Sequence, residues 1–127
     1  MPGSAGALVF VGGQALLLWR DPSGWEIPLG EIGPGEDAQV AAARHVEEQT
    51  GWRPGPLQPL IRVRSAGDDH AIFVANRASP GAEERRTMWV PVLRVQELID
   101  EQAITSATTT AALLYQLADL LQVRAVH

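Results

Sequence analysis

The sequence predicts an α+β domain, a mixed β-sheet sandwiched between helices. Three observations point there. Short apolar runs of strand character open the chain, a helical pattern interrupts them after a glycine-rich turn, and helical patterns close it.

Each element has its own signal. The opening "GALVFVGGQALLLWRD" reads as two apolar strands joined at Gly12 and Gly13, a pair suited to a two-residue turn with positive φ. "SGWEIPLG" is a short extended piece, because Pro28 steers Ile27 away from helix. "GPGED" is a turn, and Asp37 is placed to cap the helix that follows. That helix runs from Ala38 to Thr50 and stops at Gly51. Beyond "RPGP", the strands "LQPLIRVR" and "HAIFVANR" flank the polar turn "SAGDD". "NRASPGAEERR" is a loop, "TMWVPV" a further short strand and "LRVQELIDEQ" a brief helix. "SATTTAALLYQLADLLQ" is a longer helix capped by Ser106, with Leu113, Leu114, Leu117, Leu120 and Leu121 as its buried stripe.

Composition narrows the class. A chain of 127 residues suffices for one core and not comfortably for two, so residues 1–127 read as a single domain. Apolar residues make up 46% and charged ones 20%, ordinary values for a globular protein. No apolar run reaches the roughly 20 residues of a membrane helix. The start lacks the basic region of a signal peptide, and there is no cysteine for a disulfide framework. Together these set the expectation of a cytoplasmic protein without a membrane partner. All ten basic residues are arginine, against fifteen acids, for a net charge of −5. That balance argues against a sequence-independent grip on extended nucleic acid. A small phosphorylated ligand is compatible with it, since a few arginines or a divalent cation supply local positive charge.

The helix from Ala38 carries the most chemistry. At ~100° per residue, Arg44 and Glu48 lie one turn apart on one line, and His45 and Gln49 on the adjacent line. Ala38, Ala42 and Val46 form a small apolar stripe beside them, while Glu47 points away. Carboxylates on one arc beside a glycine-rich turn suit Mg²⁺ or Mn²⁺, which prefer oxygen ligands. An amphipathic helix with a polar outer face has the same periodicity. The spacing of the whole stretch separates the two readings.

Residues 30 to 52 read "GEIGPGEDAQVAAARHVEEQTGW". This resembles the box of the Nudix, or MutT-like, hydrolase family: a glycine, five residues, a glutamate, seven residues, then Arg-Glu-aliphatic-any-Glu-Glu-any-Gly-aliphatic. Gly30, Glu36, Arg44, Val46, Glu48 and Gly51 match by identity or class, and the spacing holds throughout. The opening hairpin, "WEIP", "WVPV" and the terminal helix also follow the usual Nudix order.

The resemblance implies a Nudix fold and a pyrophosphohydrolase dependent on Mg²⁺ or Mn²⁺. Its substrate would be a nucleoside diphosphate linked to another moiety, or a related nucleotide. It also allows a homodimer. Carried over position by position, the metal-binding glutamates of the helix fall on His45, Glu48 and Gln49, with Arg44 as an orienting cation and Glu36 as a supporting ligand. Only Glu48 of those three is a carboxylate, so the box is degenerate. Gln49 keeps an oxygen and loses a charge; His45 offers nitrogen, which suits Mn²⁺ better than Mg²⁺. The expectation is weaker metal binding, a different choice of metal, or none. Leu29 stands where many family members have glycine.

Related enzymes often supply an extra glutamate from the loop before Trp89. Glu83 and Glu84 are the candidates there, with Glu84 joining Glu48 and Arg44 as a catalytic residue; a solvated pair beside Arg85 and Arg86 is the plainer reading. Arg62, Arg64 and Arg85 are the candidate substrate contacts, the first two because alternate strand positions share a face. Trp25 and Trp89 suit base stacking, though core packing accounts for either. Asp68, Asp69 and His70 form a metal-like trio that a hairpin turn explains better. The alternative function is a catalytically silent Nudix module that binds a nucleotide or a protein partner.

Overall fold

Gly12 and Gly13 both take positive φ, 59° and 79°, a pairing that side-chain-bearing residues resist and that matches the right-handed twist of a tight hairpin. They join β1 (Ser4–Val11) to β2 (Gln14–Arg20) in the register Phe10↔Ala15 and Val11↔Gln14. The structure, a computed structural model, describes residues 3–65, 67–81 and 86–126. After the hairpin come β3 (Gly24–Glu26), β4 (Leu29–Glu31), α1 (Ala38–Thr50), β5 (Trp52–Pro54), β6 (Leu57–Ser65), β7 (Asp68–Ala75), β8 (Ala78–Pro80) and β9 (Thr87–Pro91). A 3-10 turn (Val92–Arg94), α2 (Val95–Asp100) and α3 (Ala107–Val126) complete the chain.

β1 is the centre of a mixed seven-stranded sheet. It runs parallel to β7, from Ser4↔His70 to Val9↔Ala75. Its other edge is shared, with β4 antiparallel along the first half and β2 at the end. β2 carries β3 and β9, while β6 lies antiparallel beyond β7. A shift of register between Pro59 and Ile61 marks a bulge in β6, at a proline that has no N–H for the ladder.

Strand periodicity divides the core into two layers. Ala5, Ala7 and Val9 of β1, Leu16 of β2 and Ala71, Phe73 and Ala75 of β7 pack on Ala41, Ala42 and Val46 of α1. The intervening residues Leu8, Ala15, Leu17 and Ile72 face the opposite way, onto Val95 and Leu98 of α2 and Ala112 and Leu113 of α3. The small side chains under α1 let that helix lie close to the sheet. On the far side, the Thr109 hydroxyl accepts the Ile27 N–H at 3.1 Å and pins α3 to the segment before β4. No helix among the described residues is long and apolar enough to cross a membrane.

The expected α+β architecture is thus present, with local corrections. "SGWEIPLG" holds two strands, β3 and β4, rather than one extended piece. The loop after β7 contains β8, which pairs with β5 in a separate two-stranded ribbon. On α3, Ser106 does cap, its hydroxyl accepting the Thr109 N–H at 3.2 Å. The expected leucine stripe is too wide: Leu113 is fully buried and Leu117 and Leu120 pack partly, but Leu114 and Leu121 are exposed. The stripe instead includes Thr108, Thr109 and Ala112.

Candidate functional site

The loop between β4 and α1 and the polar arc of α1 form the candidate site. The helix begins and ends where the sequence places it. Asp37 supplies the cap through its backbone only: its carbonyl accepts the Ala41 N–H at 2.9 Å, and its side chain makes no capping bond. Glu36 serves the loop instead, accepting the Gly33 N–H at 2.9 Å. Gly51, at φ 80°, stops the helix with its N–H on Glu47.

Arg44 is the organising cation of this loop. Its Nε donates to Glu36 Oε2 and its Nη2 to Glu36 Oε1, both at 2.9 Å, a fork on fork. Nη2 also reaches the Glu31 carbonyl at 3.3 Å. Nη1 lies 3.4 Å from Glu48 in a looser pair one turn along the helix. The Arg44 bonds and the Gly33 N–H hold the Glu36 carboxyl down at about 2, against an ordinary 4.5. Glu36 in turn raises Arg44 further above its already high value. Glu48, with 57% of its side chain exposed, is left open toward solvent. Glu47, on the far side, is exposed and pairs with Arg53 at 3.4 Å, as its position on the helix predicts.

His45 and Gln49 face inward, onto the backbone of β4. The imidazole is buried and lies against Gly30, where any Cβ would collide with the ring. Its Nε2 is 2.8 Å from the Glu31 carbonyl, which can only accept, so the proton is assigned to Nε2. Nδ1 then accepts from Gln49 Nε2 at 3.3 Å. That same amide nitrogen donates to the Leu29 carbonyl at 3.0 Å. Gln49 Oε1 accepts from Arg20 Nη2 at 2.5 Å and from the Leu29 N–H at 3.3 Å. Every donor and both lone pairs of the Gln49 amide are occupied.

The remaining candidates are scattered. Arg62, with Gly3 and residues 32–38, lines an open cleft of about 640 Å³ beside the start of α1, and pairs with Asp69 at 3.5 Å. Arg64 is exposed on the same strand face. Trp25 is half-buried on the α2–α3 side against Trp19, and Trp89 half-buried on the α1 side against Trp52, both edge to face. Each packs against the core. Asp68, Asp69 and His70 do not converge: they are successive residues of β7, with Asp69 turned to Arg62 and His70 buried. Glu83, Glu84 and Arg85 lie outside the described residues.

Comparison with known sequences decides the family, since the chain matches the NUDIX domain over residues 2–124. It belongs to the Nudix family. The CMP-5'-(N-acetyl-N-hydroxy-3-aminopropyl)phosphonate hydrolase of Streptomyces rubellomurinus (strain ATCC 31215) is 32% identical over 116 residues, covering 79% of this chain and 56% of that protein. The chain therefore spans little more than half the length of that relative. Among solved structures, an ADP compounds hydrolase superposes with a TM-score of 0.79 at 19% identity, over 95% of this chain and 73% of that one. A MutT Nudix hydrolase from Burkholderia pseudomallei gives 0.70 at 19% identity, over 91% and 98%. At those identities the likeness speaks to the fold, and the Nudix fold is what it shows.

A Nudix box implies a divalent cation, and the donor set can be tested for it. Of the four expected donors, Glu36 is held by Arg44 and Gly33, while His45 and Gln49 point hydrogen-bonded N–H groups at carbonyls. Glu48 alone is open. No three His, Asp or Glu side chains gather to hold an ion among the described residues. These residues do not fit the divalent site that the Nudix box implies. The structure also brings in Arg20 and Glu26, which the sequence reading missed. Arg20 reaches Gln49 across 29 positions and pairs with Glu26 at 3.7 Å. Arg20 closes the second apolar strand and Glu26 lies inside "SGWEIPLG", and neither place says anything about a helix so far along the chain.

Proposed function

We propose that this Nudix protein is a hydrolase of a phosphoanhydride in a nucleoside diphosphate linked to a second moiety, or in a related nucleotide, with a box altered at His45 and Gln49. The observation that carries the reading is the box geometry itself. Arg44 grips Glu36 and so fixes the loop, leaving Glu48 open on the helix surface beside it. The similarity to a hydrolase of a CMP-linked phosphonate supports a nucleotide-bearing substrate. In such a reaction a water oxygen bonds to one phosphorus, the bridging P–O bond breaks, and two phosphorylated products leave. Glu48 is the carboxylate available to orient that water or accept its proton. Arg44 offsets charge next to it, and Arg62, on the wall of the cleft beside the start of α1, is the proposed phosphate contact.

A second reading has its own support. The closed bonding of His45 and Gln49 favours a module that binds a nucleotide or a protein partner without turnover. One experiment separates the two. The purified protein is incubated with nucleoside diphosphate sugars, dinucleotides and nucleoside triphosphates in Mg²⁺ or Mn²⁺. Turnover that disappears in Glu48→Gln supports the hydrolase. Ligand-induced thermal stabilisation with no product in any mixture supports the binding module and ends the hydrolase reading.

A further inference from the structure

The inner half of the α1 arc is met by a cation from another element, Arg20 at the end of β2. Two donors reach the edge of β4, the imidazole N–H of His45 on the Glu31 carbonyl and the amide N–H of Gln49 on the Leu29 carbonyl, and a third, the Arg20 guanidinium, donates to Gln49 Oε1. Arg20, with 40% of its side chain exposed, also pairs with Glu26 at 3.7 Å. A bound cation is held by oxygen lone pairs pointing inward. Here the inward-pointing groups are N–H bonds, and the one inward oxygen, Gln49 Oε1, already accepts from Arg20 and from Leu29.

We propose that Arg20 is the resident cation of this face, closing the His45–Gln49 half of the box to divalent ions. The inference rests on the box alignment and not on hydrolysis. It has a specific consequence for any attempt to rebuild the box. Glu at position 49 would match Gln in shape: one carboxylate oxygen would take a charge-assisted bond from Arg20 at the same place, and the other would face the Leu29 carbonyl that the amide N–H now satisfies. A divalent ion would then have to displace a guanidinium already seated. Restoring carboxylates at 45 and 49 is therefore insufficient while Arg20 remains.

The test uses Mn²⁺ alone, with calorimetry and water-proton relaxation as readouts and circular dichroism to confirm folding. The proteins compared are the wild type, Gln49→Ala, the double variant His45→Glu with Gln49→Glu, and the triple variant that adds Arg20→Gln. Gln49→Ala leaves the Mn²⁺ response of the wild type unchanged. The double variant binds no more tightly than the wild type. The triple variant gains roughly tenfold or more, the scale on which ligand charge tunes divalent affinity. A tenfold gain in the double variant alone, a triple variant no tighter than the double, or a loss of Mn²⁺ binding in Gln49→Ala overturns the proposal. If the triple variant does not fold, Arg20→Gln combined with Gln49→Glu replaces it, read against Gln49→Glu alone: a gain of roughly tenfold supports the proposal and no gain overturns it. Turnover is never read, so a protein that hydrolyses nothing can still support the inference.

Discussion

Glu36 shows how one carboxylate is spent on architecture. Two bonds from Arg44 and one from the Gly33 N–H fix it in the loop before α1. Because its folded value lies near 2 and its ordinary value at 4.5, its stabilising effect is complete above 4.5 and is lost as pH falls toward 2. Glu36→Gln should therefore be less stable at neutral pH and show a flatter loss of stability between those limits. Urea midpoints measured across that range check this, and identical slopes in the two proteins would deny the pair any role. The resemblance to the Nudix box groups Glu36, Arg44, His45, Glu48 and Gln49 as one set, and the structure divides it. Arg44 and Glu48 stay at the surface, whereas His45 and Gln49 turn to the β4 backbone. Helical spacing shows that these residues share an arc; which edge of the arc meets the neighbouring strand depends on where the sheet lies.

At the level of elements, α1 was the most legible because its own punctuation bounds it, a polar turn before Ala38 and a glycine at positive φ after Thr50. α3 was less so. A run rich in leucine offers more apolar residues than one face can bury, and Leu114 and Leu121 fall on the outside. Leu113→Ala should cost about 2–5 kcal/mol, since it empties a fully buried position between α3 and the sheet. Leu121→Ala should stay within about 0.5 kcal/mol of the wild type. Equal losses in denaturant melts would mean that the outer leucine is covered in solution. The β5–β8 ribbon escaped the sequence reading for a different reason. Each strand is three residues long and ends in proline, so its strand character comes from the pairing and not from local preference.

On the scale of the whole molecule, the order of the longer strands and the helices was readable, but the sheet order was not. Period-two alternation assigns β1 and β7 to a sheet without saying that they are neighbours or that they run parallel. Their position gives a measurable outcome. Amides of β1, hydrogen-bonded on both edges and covered by helices on both faces, should exchange slowest with deuterium, and those of the β5–β8 ribbon among the fastest. Faster exchange in β1 than in the ribbon would contradict this layering. The parallel pairing also sets a timetable for synthesis. The apolar segment around Leu8 leaves the ribosome long before the β7 residues that flank it, so its permanent neighbour on that edge is the last to reach it of the three. Until then a sticky edge is uncovered, and nascent chains arrested before residue 75 should be the ones that chaperones hold longest.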